Sequence, residues 1–218
     1  MGLFGLFKKA KKLIKLVDVI VDTSDYSSYS KEWKYEKAKR LYKEGNLGLS
    51  ISLLKESADA GYSDAQYQLA NFLIKGEEIE QDYNLACSYL EKAALQNNAQ
   101  ACYDLGYLYQ NGYGCAKDMK QAFLFYEKAA SLGFADAIHQ VGAFYYQGVG
   151  VQQNEDKAID YFKKAADLDY VPSLIVLGNI YYNNEMDKES YEVLLKASRL
   201  GSEEADELLE DEVYDQFR

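Results

Sequence analysis

Histidine, cysteine and proline are scarce in this chain, and each scarcity excludes something. His139 is the single histidine, and the cysteines are Cys87, Cys102 and Cys115. A structural zinc site needs about four clustered ligands, and these residues share no ligand spacing, so no metal site is expected. An odd number of cysteines without a recurring pair makes a poor disulfide framework. A reduced, cytoplasmic setting follows. One proline, Pro172, together with 48% hydrophobic residues, argues against disorder. No run of 18 apolar residues exists, so no transmembrane helix is expected.

Positive charge is also in short supply. Lys and Arg number 24 against 35 Asp and Glu, a net charge of −11. The balance is uneven: residues 1–25 carry five Lys and three Asp, and the remainder carries 19 basic and 32 acidic residues, a net of −13. Nucleic-acid binding rests on Lys and Arg neutralising phosphates, which excludes that class. An acidic body suits a basic protein partner and steered association.

What the chain does have is a repeat. Glu56-Ser57-Ala58, Lys92-Ala93-Ala94, Lys128-Ala129-Ala130 and Lys164-Ala165-Ala166 recur at a step of 36, and Lys196-Ala197-Ser198 follows after 32. Self-similarity at this period marks stacked helical pairs. The first helices begin Ala65-Gln-Tyr-Gln-Leu-Ala, Ala101-Cys-Tyr-Asp-Leu-Gly, Ala137-Ile-His-Gln-Val-Gly and Ser173-Leu-Ile-Val-Leu-Gly. Apolar residues recur at helical steps of three and four. Ala70, Gly106, Gly142 and Gly178 form a small column, where another backbone is expected to approach closely. Loops Gly112-Tyr-Gly-Cys and Gly148-Val-Gly-Val follow, with a degraded Gly76-Glu-Glu-Ile. Second helices are expected over Tyr83 to Leu95, Met119 to Leu132 and Asp156 to Leu168. Asp82 and Asp118 stand at N-cap positions, and Gly61, Gly133 and Gly201 at left-handed C′ positions.

The combined string Ala101…Leu105-Gly106…Tyr109…Gly112-x-Gly114…Asp118…Ala122…Tyr126-Glu-Lys-Ala-Ala130…Gly133 resembles a Sel-one-like repeat. That family is a branch of the tetratricopeptide superfamily with a longer loop between its two helices. Residues 32–58 and 171–198 are more similar to plain tetratricopeptide units. The expected fold is all-α: a right-handed α-solenoid of about five antiparallel helix pairs over residues 31–201, with an acidic capping helix over 202–218. The capping stripe is Ala205, Leu208, Leu209, Val213 and Phe217.

The resemblance also implies a function. Such units bind proteins rather than perform chemistry, with the first helix of each pair lining a concave side. It assigns to that groove Tyr67, Asn71, Tyr103, Tyr107, Gln110, His139, Tyr146, Asn179 and Tyr182. Core columns keep their residue type between copies and these vary. His139 aligns with Tyr67, Tyr103 and Ile175, which makes it a member of a repeat column rather than a catalytic group. The Gly-x-Gly loops lack the preceding strand and the Lys-Ser/Thr ending of a phosphate cradle. No cofactor and no catalytic residue are expected. Two roles fit: an adaptor or scaffold, or an immunity protein that neutralises a cognate toxin by occluding it.

Residues 1–22 differ from everything that follows. Leu3, Leu6, Phe7, Ala10, Leu13, Ile14 and Val17 fall on one side of a helix, and Lys8, Lys9, Lys11, Lys12 and Lys15 on the other. A basic amphipathic helix is expected, joined to the body by a polar tether over 23–30. It either lies on an anionic membrane surface, with Leu3, Leu6, Phe7, Leu13 and Ile14 inserted beside the lysines, or covers the open first repeat. On the membrane reading the protein is peripheral on the inner membrane surface. Deleting residues 1–22 then abolishes flotation with anionic liposomes, and equal flotation of both forms eliminates that reading.

Overall fold

Every apolar stripe of the repeat becomes a helix of the same length. The computed structural model describes residues 26–218, and the expected basic helix with its membrane-facing residues lies outside them. Ten helices of 13 residues follow in order: α1 (Lys31–Lys43), α2 (Leu47–Asp59), α3 (Ser63–Lys75), α4 (Tyr83–Leu95), α5 (Ala99–Asn111), α6 (Met119–Ser131), α7 (Ala135–Gln147), α8 (Glu155–Asp167), α9 (Val171–Asn183) and α10 (Asp187–Arg199). No strand occurs among the described residues. Three residues separate the helices of the first and last pairs, and seven separate those of the three middle pairs. That difference of four is why the repeat steps by 36 and closes with 32.

Side chains written into the sequence start and stop these helices. Asn46, Asp82, Asp118 and Asn154 each accept a backbone N–H at the N-terminus of a second helix. At the other end the chain turns through positive φ, at Gly61, Gly133 and Gly201 as expected and at Asn97 and Asp169 in the same register. There the N–H of Tyr62, Asn98, Phe134, Tyr170 and Ser202 reaches back to the carbonyls of Ser57, Ala93, Ala129, Ala165 and Ala197. This six-to-one bond satisfies a carbonyl that the helix end would otherwise orphan.

The described residues form two compact units, 26–101 with 113–116, and 102–112 with 117–218. Each has its own core. In the first, Leu53, Leu54, Ala58, Leu69, Leu90 and Ala93 are all buried. In the second, Tyr126, Phe144, Phe162, Leu174, Leu177 and Leu194 form the centre.

The small column works differently from the expectation. What comes nearest is a side chain of the paired helix, and only at Gly142 does a backbone atom, the Ala158 carbonyl oxygen, also come within 3.3 Å. A Cβ on Gly106 would stand 2.7 Å from the Tyr126 ring, on Gly142 2.9 Å from the Phe162 ring, and on Gly178 2.6 Å from Leu194. Large residues on the second helix fill the space that glycine leaves on the first. In the outer pairs a hydroxyl adds to this packing: Ser50 Oγ donates to the Ala38 carbonyl and Ser190 Oγ to the Gly178 carbonyl, both at 2.8 Å.

Residues 202–218 depart from the single helix expected. They form α11 (Glu203–Leu208) and a 3-10 helix (Glu212–Phe217). Asp211 causes the break, because its side chain accepts from the Val213 N–H at 3.0 Å and so caps a new start. The stripe still faces inward: Ala205 is buried, and Leu208, Leu209, Val213 and Phe217 pack on the core of the second unit. Tyr214, outside the expected stripe, is also buried, at 2% exposure, with its hydroxyl 2.7 Å from Ser190 Oγ.

Candidate functional site

The middle first helices α5 and α7 carry most of the expected surface residues. Their N-termini decide which side chains stay accessible. The residue preceding α3, α7 and α9 is aromatic (Tyr62, Phe134 and Tyr170), and none of the three caps its helix by a side-chain hydrogen bond. Each ring instead packs on the preceding first helix. Tyr62 meets Tyr35 at 5.2 Å, Phe134 meets Tyr103 at 5.2 Å, and Tyr170 meets His139 at 5.4 Å. Such tilted aromatic contacts contribute about 0.5–1.5 kcal/mol beyond area burial.

Tyr103 and His139 are therefore half-buried and joined to the packing between successive pairs. Tyr103 also lies 5.4 Å from the Tyr126 ring. His139 lies 5.3 Å from Phe162, and its Nδ1 is 2.8 Å from Ser173 Oγ. Burial lowers the His139 pKa against the opposing pull of Asp136, so the ring is neutral near pH 7. Gln110 is half-buried and accepts from the Tyr126 hydroxyl at 2.8 Å. Tyr107 and Tyr146 are exposed, at 48% and 45%. Asn179 is exposed on α9, and Tyr182 donates to Asp211 at 3.3 Å. Tyr67 and Asn71 are half-buried on α3, in the first unit.

Asp104 lies outside the residues that the repeat columns assign to the groove. It stands on α5 between Tyr103 and Tyr107 and is half-buried. Burial pushes its carboxyl up to about 6, and among the described residues no cation or hydrogen-bond donor offsets the loss of water. The aligned positions hold Gln68, Gln140 and Val176. A signal was therefore present: among α3, α5, α7 and α9 only this helix carries a charge at that position, although Glu36 occupies it on α1. Nearby, Asp136 accepts from the Tyr170 hydroxyl at 3.1 Å, and burial followed by that carboxylate pushes the Tyr170 phenol up to about 12. The second unit thus presents tyrosines interleaved with carboxylates, one of them costly to ionise where it stands.

Among the described residues no group of three or more His, Cys, Asp or Glu could hold a metal ion. No described helix is long and apolar enough to cross a membrane.

Comparison with known proteins bears on this arrangement. The Sel1 repeat model matches residues 63–98, 99–134 and 135–170, each match spanning one pair with a seven-residue loop. Compared with curated proteins, the chain finds no match. Among solved structures it is similar to a Sel1 repeat protein from Oxalobacter formigenes, 24% identical with a TM-score of 0.71, covering 92% of this chain and 84% of that one. It is also similar to a protective antigen of uropathogenic Escherichia coli strains, 28% identical with a TM-score of 0.69 over 71% of this chain. This chain spans about a third of that antigen, 34% of its length. An immunity protein from Pseudomonas aeruginosa is 22% identical, with a TM-score of 0.51, covering 82% of this chain and 67% of that one. These likenesses agree on an all-α solenoid of consecutive helix pairs, a fold that is typically a non-catalytic scaffold. Proteins built on such repeats are generally protein-interaction modules. Three uninterrupted matches, each seated on one long-looped pair, make this chain a member of the Sel1 repeat family.

Proposed function

We propose that the chain is a non-catalytic adaptor or scaffold, and that Tyr103, Asp104, Tyr107 and Gln110 of α5 meet a partner segment bearing Lys or Arg. The observation that supports this most is the half-buried Asp104 carboxylate, which no charge among the described residues offsets. A cation from outside would offset it, and tyrosine faces hold cations by cation–π attraction. Tyr107 supplies exposed aromatic area of the kind that binding surfaces favour. The net charge of −13 beyond residue 25 steers a basic partner toward it.

The test begins with crosslinking and affinity purification of the partner, followed by titration with variants. Asp104→Asn combined with Tyr107→Ala weakens binding about tenfold or more, equivalent to ~1.4 kcal/mol. It also flattens the salt dependence. Unchanged affinity in the double variant removes the assignment. Tyr103 is a poor position for this test, because its ring also holds Phe134 and Tyr126.

A second reading is an immunity protein occluding a basic toxin, which the same acidic excess favours. Coexpression with a toxin encoded beside this chain separates the two: growth rescue selects the immunity role, and its absence selects the adaptor.

A further inference from the structure

Two of the three cysteines are brought together by the repeat, although 27 residues lie between them in sequence. Cys87 lies on α4, buried, and Cys115 lies half-buried in the loop between α5 and α6. The two thiols lie close enough for each to influence the other's ionisation. Cys87 Sγ also donates to the Tyr113 carbonyl at 3.6 Å. The loop is pressed onto the start of α4: Tyr113 stacks on Tyr83 at 5.3 Å, and a Cβ on Gly114 would fall 2.3 Å from the Tyr83 carbonyl oxygen. Residues 113–116 belong to the same compact unit as α4.

The repeat supplies a comparison. In the preceding pair the two aligned positions are Ile51 and Ile79, and in the following pair Phe123 and Val151. Both of those are apolar pairs, and Phe123 and Val151 belong to the core packing of the second unit. Cysteine can serve as a small apolar residue, and one cysteine here would need no further account. Both members of a single contact are cysteine, whereas the third, Cys102, is fully buried elsewhere on α5. The register that carries apolar contacts in the other pairs carries two thiols in this one.

We propose that Cys87 and Cys115 form a dithiol site that reduces a low-molecular-weight disulfide and closes an intramolecular disulfide, fastening the α5–α6 loop to α4. Cys115, the more accessible, loses its proton and attacks one sulfur of the small disulfide. A mixed disulfide forms and one thiolate leaves. Cys87 then loses its proton and attacks the Cys115 sulfur, releasing the second thiolate. The protein gives up two protons and two electrons, and the small disulfide becomes two thiols. Burial raises both protein thiols, Cys87 to about 12, which makes the first step slow and the reaction selective for oxidants that persist.

The experiment uses the full chain with Cys102→Ala, so that only the two proposed partners remain, and glutathione disulfide as the probe. Oxidation lowers the intact mass by two hydrogen atoms relative to dithiothreitol-treated protein. Proteolysis yields a peptide pair joined through Cys87 and Cys115. The melting temperature rises by about 5–10 °C, and dithiothreitol reverses it. Cys115→Val, which copies the residue at Val151, keeps the helicity and loses both the mass change and the thermal shift. A stable glutathione adduct on Cys115, a disulfide-linked dimer, or no reaction in the folded protein each overturns the proposal. None of these results depends on partner binding.

Discussion

Replacing Gly142 with leucine lowers the stability of the protein by roughly 3 kcal/mol, the upper end of the usual cost of overpacking. The site has no room for the first added carbon. A Cβ at this position already stands 2.9 Å from two atoms of the Phe162 ring and 3.3 Å from the Ala158 carbonyl oxygen. Phe162 is 2% exposed and cannot swing into solvent without opening the core of the second unit. Thermal denaturation followed by circular dichroism reads the effect as a fall of about 6–12 °C for a protein of this size. An unchanged midpoint refutes the packing account. Phe162→Ala alone costs about 3–5 kcal/mol through the cavity it leaves. Combined with Gly142→Leu it costs less than the sum, since the leucine refills the space. Simple additivity in that cycle would show that the two residues do not oppose each other.

Asp104→Asn acts in the opposite direction and stabilises the protein at neutral pH. The carboxyl is raised from an ordinary value of 3.8 to about 6 in the folded state. The folded protein therefore holds this proton more tightly than the unfolded chain does. The protonated side chain carries no penalty below about pH 3.8, and stability is lost as pH rises through about 6. Above that, the penalty is at most ~3 kcal/mol, since one pKa step corresponds to about 1.4 kcal/mol. Denaturant midpoints at pH 8 should favour Asp104→Asn, and the advantage should vanish near pH 4. A variant that destabilises equally at both values would mean that the carboxylate makes a favourable contact when folded. Stability surrendered at one surface position is a common mark of a residue kept for function.

Much of the fold was legible in the residues because the same signals recur in register. Asp82 and Asp118 were readable as caps, and Gly61, Gly133 and Gly201 as left-handed turns, since each role needs a particular side chain or none. Other features were hidden in what faces what. The recurring glycines announced a close approach, but only the structure identifies the rings of Tyr126 and Phe162 as what approaches. The break at Asp211 was hidden by the apolar stripe, which continues across it; the signal was an aspartate placed to start a new turn. Tyr103 and His139 read as variable surface residues. Their packing against Phe134 and Tyr170 could have been found from the aromatic column Tyr62, Phe134, Tyr170, spaced by the repeat itself. Asp104 was readable only by comparing columns for charge rather than for size. The meeting of Cys87 and Cys115 needed the loop's docking on α4, which no local pattern encodes.

The uniform 13-residue helix has a consequence for how such a chain can change length. Each rod ends in its own bonded turn, and each next rod begins on an equivalent residue. Cutting out residues 99–134 as a block joins Asn98 to Ala135, two positions that already precede and open a first helix in this protein. The seam inherits a ready-made joint, so growth and shrinkage by whole modules leave every surviving helix in phase with its neighbours.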